Sequence, residues 1–386
     1  MNKKNILVGQ SGGPTAVING SLYGVICEGA RHSDAVGCVY GMINGIEGFL
    51  ADSYMNLSET LSDDDLELLR LTPAAYLGSC RFKLPENLSD SFYRVLFEKL
   101  ERLDIGYFFY IGGNDSMDTV SKLSRYAAQI KSPIRFIGIP KTIDNDLVLT
   151  DHTPGYGSAA RYVAASVREI ALDASVYQQK SVTIVEIMGR HAGWLTAASA
   201  LARKFEHDNP VLIYLPETDF DQDAFIEKVR TSLETTPNLV VCTSEGIHDN
   251  TGTFICEYSN DVGTDTFGHK MLTGSGKYLE NLVKERLGVK VRSVELNVCQ
   301  RCSSSMLSKT DQKEAIASGA YGVKAALNGA SGKMVAFERL DGDDYQIDYV
   351  LKDVNVICNQ EKCVPATWIT ADGSDVTEDF IRYARP

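Results

Sequence analysis

A chain of 386 residues, 44% hydrophobic and 23% charged, is too long for one ordinary core and has a globular composition, so two lobes are expected. Its net charge of −13 excludes the broad basic face that non-specific binding to nucleic acid or an anionic membrane requires. No apolar run reaches the roughly 18 residues of a spanning helix. Nine scattered cysteines, with a single C-x-x-C at Cys299 and Cys302, suit reduced thiols in a cytoplasmic protein.

The opening MNKKNILVGQSGG is expected to enter a strand over 5–8 with no secretory leader. That strand ends in Gly9-Gln-Ser-Gly-Gly-Pro-Thr-Ala16, ahead of a helix over 19–29. Gly12 and Gly13 let the backbone approach closely, and the helix start offers N–H groups and a positive dipole end to an anion. The pattern matches neither the Walker sequence nor the dinucleotide fingerprint, and alone it reads equally as a plain turn. A strand over 37–40 and a helix over 89–103 follow.

The strand over 106–111 runs into Gly112-Gly113-Asn114-Asp115-Ser116 and a helix over 116–131. Here Ser116 reads as a helix N-cap with Asp115 as its dipole partner. Alternatively, Asn114 and Asp115 are oxygen groups around a phosphate and its Mg²⁺. A third strand, over 134–139, releases Pro140-Lys141-Thr142-Ile143-Asp144-Asn145-Asp146. An extended loop would aim both aspartates at one site, and a turn would separate them. Three such loops at three strand ends suggest phosphoryl transfer: glycine amides for phosphate, carboxylates for metal, and one carboxylate to accept a hydroxyl proton.

Beyond residue 150 the pattern predicts helices over 158–172, 191–203, 221–233, 276–287 and 309–327. Strands are expected over 182–187, 211–214, 239–242 and 289–296. The alternation predicts an α/β fold of two Rossmann-like lobes, with mainly parallel sheets flanked by helices and the active site in the cleft between them. The expected borders are 1–150 for a larger donor-binding lobe and 151–330 for a smaller sugar-phosphate lobe. Residues 331–386 are expected as an extension packing back on the lobes, irregular over 331–370 apart from pieces such as 345–349. Trp194 and its small-residue helix read as packing.

The segments SGGPTAVIN, GSCRF, GGNDS, GIPKTIDND, VEIMGRHAGW, SEG and RSVELNVCQR, in this order from Gly9 to about Gly319, resemble the phosphofructokinase family. The resemblance implies transfer of a phosphoryl group to the 1-hydroxyl of fructose 6-phosphate, with Mg²⁺ as cofactor. It implies Asp144 as general base, Asp146 as its charged neighbour and a metal group, and Thr142, Lys141 and Arg190 at the moving phosphoryl. Gly12, Gly13, Arg81, Gly113, Asn114, Asp115, Ser116 and Lys141 would hold the donor, with Asn114, Asp115 and Asp146 toward the metal. Met188, Gly189, Arg190 and Glu245 would hold the sugar together with Thr142 and Asp144, and Arg292 and Arg301 its 6-phosphate. In the family the equivalent of Arg292 comes from a neighbouring subunit, which implies a homodimer or homotetramer.

The resemblance is nearest to the pyrophosphate-using branch. ATP-using members usually carry glycine where this chain has Asp115 and Lys141. An aspartate at the first position fills the space of a nucleotide α-phosphate and repels it, and a lysine at the second adds charge near a donor that lacks adenosine. These two side chains are also expected to pair. An ATP-dependent kinase, a sedoheptulose 7-phosphate acceptor and a non-catalytic subunit remain the alternatives. Asn114 stands where ATP-using members have a Mg-associated aspartate. Tyr23 and Cys27 occupy the places of two effector-binding arginines, so that effector site is not expected.

Overall fold

The computed structural model describes residues 3–205, 207–258, 274–342 and 344–386. In chain order the strands are β1 (Lys4–Gln10), β2 (Val36–Met42), β3 (Tyr54–Asn56), β4 (Ile105–Gly112), β5 (Arg135–Pro140) and β6 (Ser181–Ile187). They continue as β7 (Leu212–Tyr214), β8 (Asn238–Ser244), β9 (Lys290–Glu295), β10 (Lys333–Arg339) and β11 (Ile347–Asp353). Two compact units result, one of residues 1–158 and 301–360, the other of 159–300 and 361–386.

The first unit holds a seven-stranded sheet in the order β11-β10-β5-β4-β1-β2-β3. Its inner pairs are parallel, and only β10–β11 and β2–β3 are antiparallel. Both faces are covered, which is why its strands read as unbroken apolar runs. Leu7, Phe108, Tyr110 and Phe136 belong to one core cluster. Their alternating neighbours Ile6, Val8, Phe109, Ile111, Ile137 and Ile139 belong to the other. That period of two is the pleat itself. Along the second face, helices Ile18–Arg31 and Lys309–Leu327 pack at very short range. A methyl group at Gly24 would lie 2.1 Å from the Ile316 carbonyl oxygen, and one at Gly319 would lie 2.1 Å from that of Ser21.

The second unit holds four parallel strands in the order β7-β8-β6-β9. Val182, Ile184, Leu239 and Val241 pack there with Phe225, Val229, Leu279 and Val283 from helices Gln222–Thr235 and Ser275–Leu287. Trp194 is buried against Trp368, Phe380 and Tyr383, in agreement with the packing role expected for it.

The α/β class with mainly parallel, helix-flanked sheets is as expected, and the eight anticipated strands are all present. Three details differ. The region 331–370 is not mainly irregular, because β10 continues the sheet beside β5 and β11 folds back on it. The helix expected over 191–203 is only Trp194–Ala198 followed by a 3-10 turn, Ser199–Ala202. The units also take up the chain alternately rather than breaking at 150 and 330. Residues 301–360 rejoin the first unit through the Lys309–Leu327 helix and β10, and residues 361–386 belong to the second.

Candidate active site

In the first unit β1, β4 and β5 run parallel, so their carboxyl ends release three loops on one edge of the sheet. After β1, Gly12 takes φ +77°, a conformation that favours glycine. Its N–H donates to the Cys80 carbonyl at 3.4 Å, and its own carbonyl accepts the Ser79 hydroxyl at 2.7 Å. Arg81, exposed, therefore follows directly on a residue bound to the glycine turn.

After β4 the helix Asn114–Gln129 begins with Gly113 as its N-cap, and no side chain caps it. The Ser116 N–H of its first turn donates to the Gly113 carbonyl at 3.0 Å, which leaves those of Asn114 and Asp115 for an anionic ligand. Ser116 is not the N-cap that one reading suggested. It lies inside the first turn, buried, with its hydroxyl against Gly112. Asp115 is exposed on that turn. Asn114 is committed elsewhere: its amide nitrogen donates to the Gln360 carbonyl, and its amide oxygen accepts the Asn359 N–H at 2.6 Å. That clamp explains an asparagine here, since an aspartate has no N–H to give the Gln360 carbonyl.

After β5, Lys141 is 3% exposed and donates its ammonium to the Gly13 carbonyl at 2.6 Å. The Arg301 guanidinium lies 3.9 Å from the position of a Gly13 Cβ. Burial pushes the Lys141 pKa down to about 8. Asp144 and then Asp146 oppose that shift, and Arg301 adds to it. The expected Lys141–Asp115 pair is not made, because the buried ammonium points to the glycine turn while Asp115 faces solvent. Both aspartates bear on Lys141, although Asn145 between them turns through φ +54°. The Thr142 hydroxyl accepts the Asp144 N–H at 3.0 Å and lies 3.4 Å from the Asp144 carboxylate. The Thr142 N–H donates to the Pro154 carbonyl at 3.2 Å, and its carbonyl accepts the Thr153 hydroxyl at 2.9 Å. The loop is thus held at both peptide groups of Thr142.

In the second unit, Met188-Gly189-Arg190 follows β6 and Glu245 follows β8. Gly189 takes φ +146° and gives its carbonyl to the Ser244 hydroxyl. The Glu245 N–H donates to the Ile187 carbonyl at 2.9 Å, and a Cβ at Gly246 would fall 1.9 Å from the Arg190 carbonyl oxygen. Met188, Arg190 and Glu245 are therefore brought together by two neighbouring strand ends. Arg292 stands exposed on β9, the edge strand of this sheet.

Sequence reasoning passed over Thr153, Pro154 and Asp311, which hold the Thr142 loop and the segment behind it. Asp311 accepts the Gly155 and Ser158 N–H groups at 2.8 and 2.9 Å, so it caps a helix, Tyr156–Ser175, other than its own. Its own helix is capped by Ser308. The Ser-x-x-Asp spacing at 308–311 was a legible sign of a helix start, but the second duty of Asp311 was not.

Among the described residues no group of three or more His, Cys, Asp or Glu side chains could hold a metal ion, and the Thr142 loop offers one pair of carboxylates, Asp144 and Asp146. Such a set fits Mg²⁺, which binds through one or two carboxylates and keeps its other positions for water and substrate phosphate oxygens. No described helix is long and apolar enough to cross a membrane, and all nine cysteines are free.

The family model described as phosphofructokinase matches residues 5–326. The pyrophosphate–fructose 6-phosphate 1-phosphotransferase of Halomonas elongata is 40% identical over all of this chain and 92% of its own. The sulfofructose kinase of Alkalicoccus urumqiensis is 34% identical over 94% of this chain and 91% of its own. Among solved structures, the pyrophosphate-dependent phosphofructokinase of Nitrosospira multiformis aligns with a TM-score of 0.90. It is 36% identical and covers 100% of this chain and 92% of that one.

Proposed function

Because the chain belongs to the phosphofructokinase family, we propose that it transfers a phosphoryl group from pyrophosphate to the 1-hydroxyl of fructose 6-phosphate. The products are fructose 1,6-bisphosphate and phosphate. The sugar oxygen forms a bond to phosphorus, the bridging P–O bond breaks, phosphate leaves with that electron pair, and the hydroxyl proton passes to Asp144. The two phosphoanhydride and ester steps are close in free energy, so the reaction runs in both directions.

The observation that carries the donor assignment is the buried Lys141 ammonium seated on the glycine turn with Arg301 beside it. The Lys141 ammonium and the free N–H groups of Asn114 and Asp115 suit a compact polyanion. Asp115, exposed on the first helical turn, adds negative charge where a nucleotide's further phosphate would have to lie. Asp144, held by Thr142, is the general base, and Asp146 with Asp115 holds the Mg²⁺ that the donor brings. The metal neutralises phosphate charge when bound. Asn114 serves its clamp and is not assigned to the metal. Met188, Gly189, Arg190 and Glu245 bind the sugar, and Arg292 and Arg301 bind its 6-phosphate. Arg81 binds donor phosphate. Nine free cysteines and the sugar-phosphate substrates fit a cytoplasmic enzyme.

Purified enzyme assayed for fructose 1,6-bisphosphate with pyrophosphate or ATP at equal Mg²⁺ tests this reading. A kcat/KM at least about 100-fold higher with pyrophosphate is expected, and an ATP preference overturns the donor assignment. The 34% identical sulfofructose kinase supports a second acceptor, a sulfonated fructose. A sulfonate carries less charge than a phosphate, so the same assay run with both acceptors in competition ranks them.

A further inference from the structure

Outside the residues assigned to ligand, the first unit buries a charged cluster around His152, which is 7% exposed. Its Nδ1 lies 2.8 Å from the Asp151 carboxylate and its Nε2 lies 2.6 Å from that of Glu314. Ionised carboxylates only accept, so both ring nitrogens donate and the ring is an imidazolium. Burial pulls the pKa of His152 down, but the two carboxylates more than reverse this and hold it above the ordinary value. Asp151 also accepts Arg339, at 3.2 Å from Nε and 3.0 Å from Nη2, and Glu314 accepts the Tyr345 hydroxyl. The same hydroxyl is 3.3 Å from His152 Nε2, and the Arg339 guanidinium lies over the Tyr345 ring. Two cations balance two anions.

The cluster sits on the segment that holds Thr142. Asp151 donates its N–H to the Phe337 carbonyl, and the Thr150 hydroxyl bridges the His152 carbonyl and the Phe337 N–H. The next two residues, Thr153 and Pro154, grip Thr142 from both sides, and Gly155 ends on Asp311. Asp311 and Glu314 are three residues apart on the Lys309–Leu327 helix and so share a face. Segment 150–158 therefore acts as a splint, fixed to that helix at two carboxylates and to the Thr142–Asp144 loop at two hydrogen bonds.

The geometry points to His152 as a positioning residue for the phosphoryl-transfer loop: bridging Asp151 and Glu314, it fixes the splint that sets the place of Thr142 and Asp144. This rests on Asp144 being the base of the proposed reaction, so one arm of the test does not depend on activity. In His152→Gln, amide exchange over 140–147 and 150–158, followed by mass spectrometry, is expected to speed up while the rest of the first unit keeps its rates. kcat should fall about tenfold, with KM for pyrophosphate and fructose 6-phosphate within about twofold. The variant leaves Glu314 without its cation, so the charge-balanced double variant His152→Gln/Glu314→Gln should regain kcat to within about threefold of wild type.

Exchange that accelerates evenly across the unit, an unchanged kcat, or no recovery in the double variant would each overturn the inference. If His152→Gln does not accumulate folded, Tyr345→Phe removes a single hydroxyl from Glu314. It should still speed exchange at 140–147, and unaltered local exchange there refutes the splint. A wild-type enzyme inactive with either donor would sink the functional reading and leave the exchange arm interpretable.

Discussion

Lys141 carries the most informative charge in the first unit. Its ammonium is buried, with a pKa near 8 against an ordinary 10.5, so it is mostly charged at neutral pH and loses its proton as pH rises through about 8. In the free enzyme kcat/KM for pyrophosphate should therefore fall above pH 8, by about tenfold per unit. Bound pyrophosphate stabilises the ammonium, so the limb in kcat should lie at higher pH. Stability moves the other way. Between pH 8 and 10.5 the unfolded chain binds the proton that the folded chain has released, so this group's contribution to stability rises with pH. A fall in kcat/KM from this cause should come without a matching fall in melting temperature. A kcat/KM that stays flat from pH 7.5 to 9.5 would remove Lys141 from donor binding. Asp144→Asn keeps the size of the side chain and the Thr142 contact but removes the base. It should lower kcat by about 10³ while both KM values stay within a few fold, and steady-state assays in both directions would show whether it does.

Two helices carry the loops to their places, and their contact has no room to spare. Ile18–Arg31 follows the glycine turn, and Lys309–Leu327 brings Asp311 and Glu314 to the splint. Gly24 and Gly319 each lie where a methyl group would strike backbone oxygen of the partner helix at 2.1 Å, and backbone cannot swing aside as a side chain can. Gly319→Ala should therefore destabilise by about 1–3 kcal/mol from overpacking, despite a helix-propensity gain of about 1 kcal/mol. Gly322, on the same helix, is the control. Its nearest atoms are at 3.5 Å, so Gly322→Ala should hold or raise the melting temperature. Equal melting curves for the two variants would count against the packing argument. This contact also shows what a sequence leaves hidden. Eight of the eleven described strands were legible, most of them because burial on two faces writes them as unbroken apolar runs. The Ile18–Arg31 and Lys309–Leu327 helices were legible as elements, but nothing in their period announced that they meet through glycines. β10 escaped notice because only Met334 to Phe337 is apolar, and its place in the sheet is set by β5, far away in sequence.

At the scale of the whole molecule, the candidate site residues stood out as clusters because each motif is local: a strand end, two or three polar groups, a helix start. What joins them is not local. Residues 301–360 rejoin the first unit through a long-range helix and sheet pairing, so the sequential borders drawn from motif order missed the alternation. Likewise, the Lys141 charge was noticed but its partner was misjudged. Burial sent the ammonium to the Gly13 carbonyl, and no spacing rule shows which way a lysine leaves its strand. Arg292 raises the same question beyond one chain. It stands exposed on β9, the edge strand of its sheet, where a guanidinium is free to serve a neighbouring copy. If it does so in a two-fold dimer, each site needs Asp144 from one subunit and Arg292 from the other. Asp144→Asn and Arg292→Ala homodimers should then both be nearly inactive. A hybrid of the two places both defects in one site and leaves the second site intact. Random pairing of equal amounts, by co-expression with separable tags, should restore about a quarter of wild-type kcat with a wild-type KM for fructose 6-phosphate. If Arg292 acts within its own chain, every site in every hybrid carries one defect and no activity returns.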